Sequence, residues 1–261
     1  MGDETLTGMD FAQGDGKNSP VVEEQMRERL AAIRERIRDA AKASGRDESE
    51  ITLIGVSKLF PAVNAMAAMN LGLFDLGENY ARELAQKDDI LKEKGYLPRW
   101  HLIGGLQSNK VKYVVGRTEL IHSVASISLL DELDKRSEQC GVVSRILLQI
   151  NVSGELSKQG FAPEEAGRMA EYAGNKPNLC LCGLMTMAPV SEDSHAAVPC
   201  FSDLKELFDR LAGNVPSLDC WKVLSMGMSG DFEDAIRFGA THVRIGTAIF
   251  GLRNYGGAVI P

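Results

Sequence analysis

No stretch of the chain approaches the roughly eighteen uninterrupted apolar residues that a membrane-crossing helix needs, so no transmembrane span is expected. Positive charge is also in short supply. Lys and Arg number 29 against 36 Asp and Glu, for a formal charge of −7, and this disfavours nucleic acid, whose backbone demands clustered positive charge. The five cysteines, Cys140, Cys180, Cys182, Cys200 and Cys220, are odd in number and form no C-x-x-C pair. Neither a zinc site nor a disulfide framework is suggested, and a reducing compartment fits best. Cys180 and Cys182 should share one strand face as small hydrophobes. The four histidines, His101, His122, His195 and His242, show no ligand spacing, so no metal is expected. A P-loop and a G-x-G-x-x-G fingerprint are both missing. Gly227 to Asp231 nearly spells a hydrolase elbow, but the final glycine is misplaced. Met1 to Pro20 lacks the basic start and apolar run of a secretory signal, and it is too acidic for a transit peptide. Leu6 stands where a myristoylated chain requires Ser or Thr. A flexible tail over residues 1–20 and a cytoplasmic location are the expectations.

What is present is length and rhythm. At 261 residues, 44% hydrophobic and 25% charged, the chain can bury one large core, and α/β barrels of about 250 residues run as one domain. From about Val22 to Ser44, Met26, Leu30, Ile33, Ile37 and Ala40 recur at three- and four-residue spacing, with Arg27, Glu28, Arg34, Glu35 and Arg38 opposite. This predicts an amphipathic helix with a solvated, mixed-charge face. After Gly45, short β-rich runs alternate with helical stretches. The runs are Thr52–Ser57, Leu73–Gly77, Trp100–Ile103, Leu120–Val124, Ile146–Val152, Leu181–Met187, Lys222–Met226 and His242–Ile245. Pro61 and Pro163 sit where first helical residues would. Gly141, Gly174, Gly213 and Gly239 each follow a helical pattern, as left-handed terminal residues should. Strands alternating with helices imply a parallel sheet buried on both faces. Eight βα units with nothing left over predict α/β class and a single (β/α)8 TIM-type barrel over residues 21–261. The extra N-terminal helix would cover its bottom or side. A complete barrel without an apolar surface stripe predicts a monomer.

Active sites of such barrels sit at the C-terminal strand ends, so the residues delivered there matter most. The first run is apolar and finishes on Val56-Ser57-Lys58, which puts a single amine at the barrel mouth. Partial burial there can depress its pKa and leave a neutral nucleophile for imine formation; the alternative is a lysine that snorkels to solvent. The loops after the last two strands commonly form a phosphate site in this fold. Ser225 to Gly230 supplies two hydroxyls and two glycines ahead of a helix expected from Asp231 to Phe238, with Ser229 as its N-cap. Gly246-Thr247-Ala248 repeats the arrangement after the eighth strand. Capping alone would also account for Ser229 and Thr247. An imine-forming lysine facing a phosphate site suggests a phosphorylated aldehyde. The residues by themselves leave two classes open: pyridoxal phosphate, or a phosphorylated sugar in a lysine aldolase.

Seven segments in order resemble the pyridoxal phosphate homeostasis protein family, whose barrel is similar to the N-terminal domain of alanine racemase. They are Val56-Ser57-Lys58; Gly77-Glu78-Asn79-Tyr80; Trp100 to Gly104 with Leu106 to Lys110; Asn151 to Glu155 with Lys158 and Gly160; Gly183 to Pro189; Leu224 to Asp231; and Val243 to Gly251. The resemblance implies a pyridoxal 5′-phosphate cofactor held as a Schiff base on Lys58. It implies that Ser229, Gly246 and Thr247, with Ser225, hold the phosphate, that Arg244 faces the pyridine nitrogen and that Asn79 lies beside the ring. Leu76 and Gly105 depart from the family's usual residues, and Gly105 leaves the third loop less defined. In those racemases a second β-domain supplies a catalytic tyrosine, and this chain ends at Pro261, a few residues beyond the eighth strand. The reading is therefore a non-catalytic holder that stores, delivers or buffers vitamin B6, with PLP-dependent apoenzymes as recipients. The alternative is a fold-type III enzyme such as a weak amino-acid racemase.

Overall fold

Short aliphatic and β-branched runs become strands here because both faces of an α/β wall are buried. A computed structural model describes residues 19–155, 158–189, 195–212, 220–255 and 258–260. All eight expected runs are strands in it: β1 (Thr52–Val56), β2 (Asp75–Glu78), β3 (Arg99–Leu102), β4 (Thr118–Val124), β5 (Ser144–Gln149), β6 (Leu179–Met185), β7 (Val223–Ser225) and β8 (His242–Ile245). They pair in parallel in chain order, and β8 returns to β1 with Thr52 opposite His242 and Gly55 opposite Ile245, which closes the barrel.

Leu120, Leu147, Cys182, Met185 and Val223 cluster apart from the main core, which holds Ile121, Ile146, Leu148, Leu181 and Leu224. Neighbours in one strand therefore fall on opposite sides of the wall, as the two-residue period requires. The small cluster fills the lumen, and the large one lies under the helices. Those helices are α2 (Ala62–Asn70), α3 (Ala81–Glu93), α4 (Ile127–Cys140), α5 (Ala166–Gly174), α6 (Val198–Ala212), α7 (Phe232–Arg237) and α8 (Thr247–Phe250). The third crossover departs from the expected helix. It is a 3-10 segment, Ser108–Tyr113, in a stretch whose β-branched Val111, Val114 and Val115 are all buried, and such residues weaken an α-helix.

The N-terminal helix α1 (Ser19–Ala43) buries Met26, Leu30, Ile33, Ile37 and Ala40. It lies along the barrel's side: Arg36 pairs with Glu233 of α7 at 2.6 Å, and Arg34 donates to the Gly72 carbonyl at 2.9 Å. The expected tail lies, from residue 1 to 18, outside the described residues. Gly141 caps α4 in the left-handed conformation and Gly239 has φ +90°. Gly174 instead closes α5 from within, followed by Asn175 at φ −86°, and Gly213 lies outside the described residues. After α8, an unexpected pair of short strands, β9 (Arg253–Tyr255) and β10 (Ala258–Ile260), runs antiparallel.

Cys180 and Cys182 share the lumenal face, 3.8 Å apart. Cys180 Sγ lies against Cys220 Sγ, a pairing that the cysteine spacing did not suggest. The two are 40 residues apart in sequence and meet only because β7 lies beside β6, with the Lys222 N–H donating to the Cys182 carbonyl at 2.9 Å. Among the described residues no helix is long and apolar enough to cross a membrane.

Candidate functional site

β1 stays apolar to Val56 and then delivers Ser57 and Lys58 at the C-terminal rim. The chain reverses at once. Phe60 N–H donates to the Ser57 carbonyl at 3.1 Å, and Leu59 takes φ +65°, the one positive φ outside glycine among the described residues. A cavity of about 310 Å³ opens beside this turn. Its lining includes Lys58 after β1, Asn79 after β2, Ser229 after β7, and Arg244, Gly246 and Thr247 at the end of β8. The structure thus brings six of the seven residues put forward from the sequence into one hollow. Ser225 is absent from that lining; its side chain is buried and bonded to Arg244.

Two glycines let the rim close in. A Cβ on Gly104 would sit 2.4 Å from the Asn79 carbonyl oxygen, so the third loop lies directly on the Asn79 backbone. Gly246 precedes α8, and Ile249 and Phe250 both donate to its carbonyl at 2.9 Å. The N–H groups that open a helix have no acceptor within it, so this strand end offers donors beside the Thr247 hydroxyl. Ser229 is not the expected helix cap. α7 begins at Phe232 after Asp231, whose carboxylate accepts from the Met228 N–H at 2.6 Å. Asp231 folds the loop back on itself and leaves Ser229 at the cavity.

Arg244 is buried, and it donates to Ser225 Oγ at 2.5 Å and to the Thr186 carbonyl at 2.9 Å. Burial lowers its pKa to about 10, which leaves it cationic near neutrality. Beneath it runs a polar chain through the lumen. Ser225 Oγ meets His122 Nδ1 at 2.9 Å, His122 Nε2 meets His101 Nδ1 at 3.0 Å, and His101 Nε2 meets Asp75 at 3.1 Å. Arg244 can only donate and an ionised Asp75 can only accept. With one proton on each ring, donation therefore runs in a single direction from Arg244 to Asp75. Burial raises Asp75, but hydrogen bonds from Arg99 and His101 outweigh it and hold the carboxyl well below its ordinary range. Burial, then His101, depresses His122, and the same causes take His242 to about 3. Among the described residues no group of three His, Cys, Asp or Glu is placed to hold a metal ion.

Sequence reasoning missed the residues behind Lys58. Lys87 Nζ of α3 donates to the Ser57 carbonyl and to Glu78 Oε1, both at 2.8 Å, and to Glu83 Oε1 at 2.7 Å. Ser57 Oγ donates to Glu78 Oε1 at 2.7 Å. Ser57, Glu78, Glu83 and Lys87 have no exposed surface. A larger hollow of about 500 Å³ lies elsewhere, lined by Glu164, Asp203, Glu206 and Arg210 among others. Its described lining holds three carboxylates and no lysine, which suits neither imine chemistry nor a phosphate.

A family model described as alanine racemase, N-terminal domain, matches residues 29–254. The pyridoxal phosphate homeostasis protein of Aquifex aeolicus is 42% identical over 228 residues, covering 87% of this chain and 98% of that one. Among solved structures, an unknown protein from Bifidobacterium adolescentis superposes with a TM-score of 0.85 at 33% identity, covering 92% of this chain and 100% of the other. PipY of Synechococcus elongatus, solved with PLP bound, superposes with a TM-score of 0.75 at 30% identity, covering 87% of this chain and 100% of its own.

Proposed function

The chain belongs to the pyridoxal phosphate homeostasis protein family, and from that premise we propose that it holds pyridoxal 5′-phosphate in the barrel-mouth cavity as a Schiff base on Lys58. Its role in this reading is to store, deliver or buffer the cofactor inside the cytoplasm, with PLP-dependent apoenzymes as recipients. The observation that carries the proposal is that Lys58, Arg244 and the Gly246–Thr247 strand end line one cavity of about 310 Å³. An amine, hydroxyls with helix-start N–H groups, and a cation match an aldehyde, a phosphate and a pyridine nitrogen in turn.

The cofactor supplies an electrophilic aldehyde and a ring that can accept electrons. Lys58 would hold the aldehyde end of the cofactor through its amine. Ser229, Gly246 and Thr247 hold the phosphate, and Asn79 lies beside the ring. Arg244, cationic to a pKa of about 10, would stand at the ring nitrogen and disfavour its protonation. That weakens the ring as an electron sink and favours holding over turnover. The eight barrel strands leave no unpaired edge among them, which removes edge pairing through the barrel as a route to self-association and supports a monomer.

Absorption spectra before and after borohydride reduction, followed by peptide mapping, test the site. The label is expected on Lys58; a label on Lys110 or Lys158 instead overturns the assignment. The family model's description as the alanine racemase N-terminal domain favours a second reading, a weak amino-acid racemase. Incubation with a panel of L- and D-amino acids separates the two. Turnover that disappears in Lys58→Ala would sink the holder reading.

A further inference from the structure

Lys58 sits between two residues whose backbones are tied to a buried ionic cluster. On one side the Ser57 carbonyl accepts from Lys87 Nζ at 2.8 Å. On the other the Leu59 N–H donates to Glu83 Oε1 at 2.5 Å. Phe60 N–H completes the turn by donating to the Ser57 carbonyl at 3.1 Å. Leu59 occupies the third position of this turn at φ +65°, where turns of the kind take glycine or asparagine. For an ordinary side chain that conformation is costly and persists only where the surroundings impose it.

The cluster itself needs an explanation. Glu78, Glu83 and Lys87 are wholly buried, and Glu78 Oε2 and Glu83 Oε2 have no hydrogen-bond partner among the described residues. Burying two acidic groups around one ammonium, with two oxygens unsatisfied, is a poor way to stabilise a fold compared with aliphatic packing. Its bonds to Ser57 and Leu59 give it another use.

We propose that Lys87 and Glu83 are positioning residues for Lys58: they hold Leu59 in its left-handed conformation and so fix the direction in which Lys58 leaves the rim toward the cavity. The proposal rests on the assignment of Lys58 as the cofactor's amine. Lys87 supplies the fixed donor to the Ser57 carbonyl, and Glu83 the fixed acceptor for the Leu59 N–H. Glu78 and Ser57 Oγ tie the cluster to the ends of β2 and β1. Without the cluster the turn relaxes toward ordinary φ values, and the Lys58 side chain swings with it.

The test is the rate at which full-length protein, mixed with pyridoxal 5′-phosphate, gains a borohydride-fixed adduct on Lys58, counted by peptide mass. Borohydride delivers hydride to the bonded carbon and leaves a stable secondary amine, so the count does not depend on any turnover. Lys87→Met should load roughly tenfold more slowly, the order that a strained backbone conformer costs. Glu83→Gln, which keeps the oxygen acceptor, should stay within about threefold of the unaltered chain. The discriminating variant is Leu59→Gly. Added to Lys87→Met it removes the backbone penalty and should restore most of the loading rate. A cluster that serves stability alone would not give that rescue. If Lys87→Met fails to fold, Leu59→Val keeps the proposal exposed. It leaves the cluster intact while making the left-handed conformation costlier for a β-branched side chain, and it should load roughly tenfold more slowly. Normal loading by Leu59→Val, or no rescue by Leu59→Gly, overturns the positioning role alone. Absence of a Lys58 adduct in the unaltered chain overturns the cofactor assignment together with it.

Discussion

Arg244 is a desolvated cation held from two directions, by the Thr186 carbonyl and by Ser225. Ser225→Ala removes one acceptor and cuts the polar chain between Arg244 and His122. An ionic group left short of a partner in a buried site costs about 1–3 kcal/mol, so a lowered urea midpoint is expected. Weaker cofactor retention should accompany it even though Ser225 does not line the cavity. Unchanged retention, measured by dialysis and absorbance, would show that Arg244 needs no support from below. The same residue marks a limit of sequence reading. Ser225 and Ser229 are equivalent on paper, two hydroxyls in one glycine-bearing loop, and only the strand register turns the first into the lumen and the second to the rim. The place of Lys58 at the cavity was legible because an apolar strand that finishes on a lysine delivers it to the C-terminal rim of the barrel. Glu83 and Lys87 were not, because a Glu–Lys pair four residues apart on a helix ordinarily reads as a solvated surface pair.

At the scale of elements, the strands were legible because parallel strands in a covered sheet are near-continuous apolar runs, and each observed boundary falls within a few residues of the expected one. What failed were the short pieces. A six-residue α7 and a 3-10 third crossover are too brief to show a helical period, so caps and crossover type followed from three-dimensional context. The polar lumen and the cluster behind the β1 turn also bias stability with pH in opposite senses. His242 has an ordinary pKa near 6.5 unfolded and about 3 folded, through burial and then His101. Between those values the unfolded chain binds the extra proton, so its contribution is present above pH 6.5 and is lost as pH falls toward 3. Glu83 runs the other way. Burial, then Glu78, raises it from 4.5 to about 8, so in that window the folded chain binds the extra proton and stability declines as pH rises. Urea unfolding at pH 5, 6.5 and 8.5 should therefore show a loss on the alkaline side that Glu83→Gln reduces. An identical alkaline slope in that variant would remove Glu83 as the cause.

At the scale of the whole molecule, the barrel is held by two distinct cores. The shell between sheet and helices is largely apolar, with the cluster of Ser57, Glu78, Glu83 and Lys87 buried in it behind the β1 turn, whereas the lumen is divided between the Leu120–Val223 cluster and the chain from Arg244 to Asp75. A cofactor seated on the lumenal chain binds the native state and has no comparable site on the unfolded one, so binding must raise the unfolding free energy by linkage. At a hundredfold excess over Kd the gain is about 2.7 kcal/mol. For a domain of this size that corresponds to a rise in Tm of roughly 5 to 10 °C. Covalent attachment adds to the affinity, so Lys58→Ala should show a distinctly smaller rise at the same cofactor concentration, and inorganic phosphate should produce only a small part of it in either protein. A thermal melt of both chains with and without pyridoxal 5′-phosphate reads this directly. Equal shifts in the two would mean that phosphate and ring contacts carry all of the affinity and that the amine contributes none. Such a result would leave a cofactor-binding barrel but dissolve the argument that the end of β1 is where it is held.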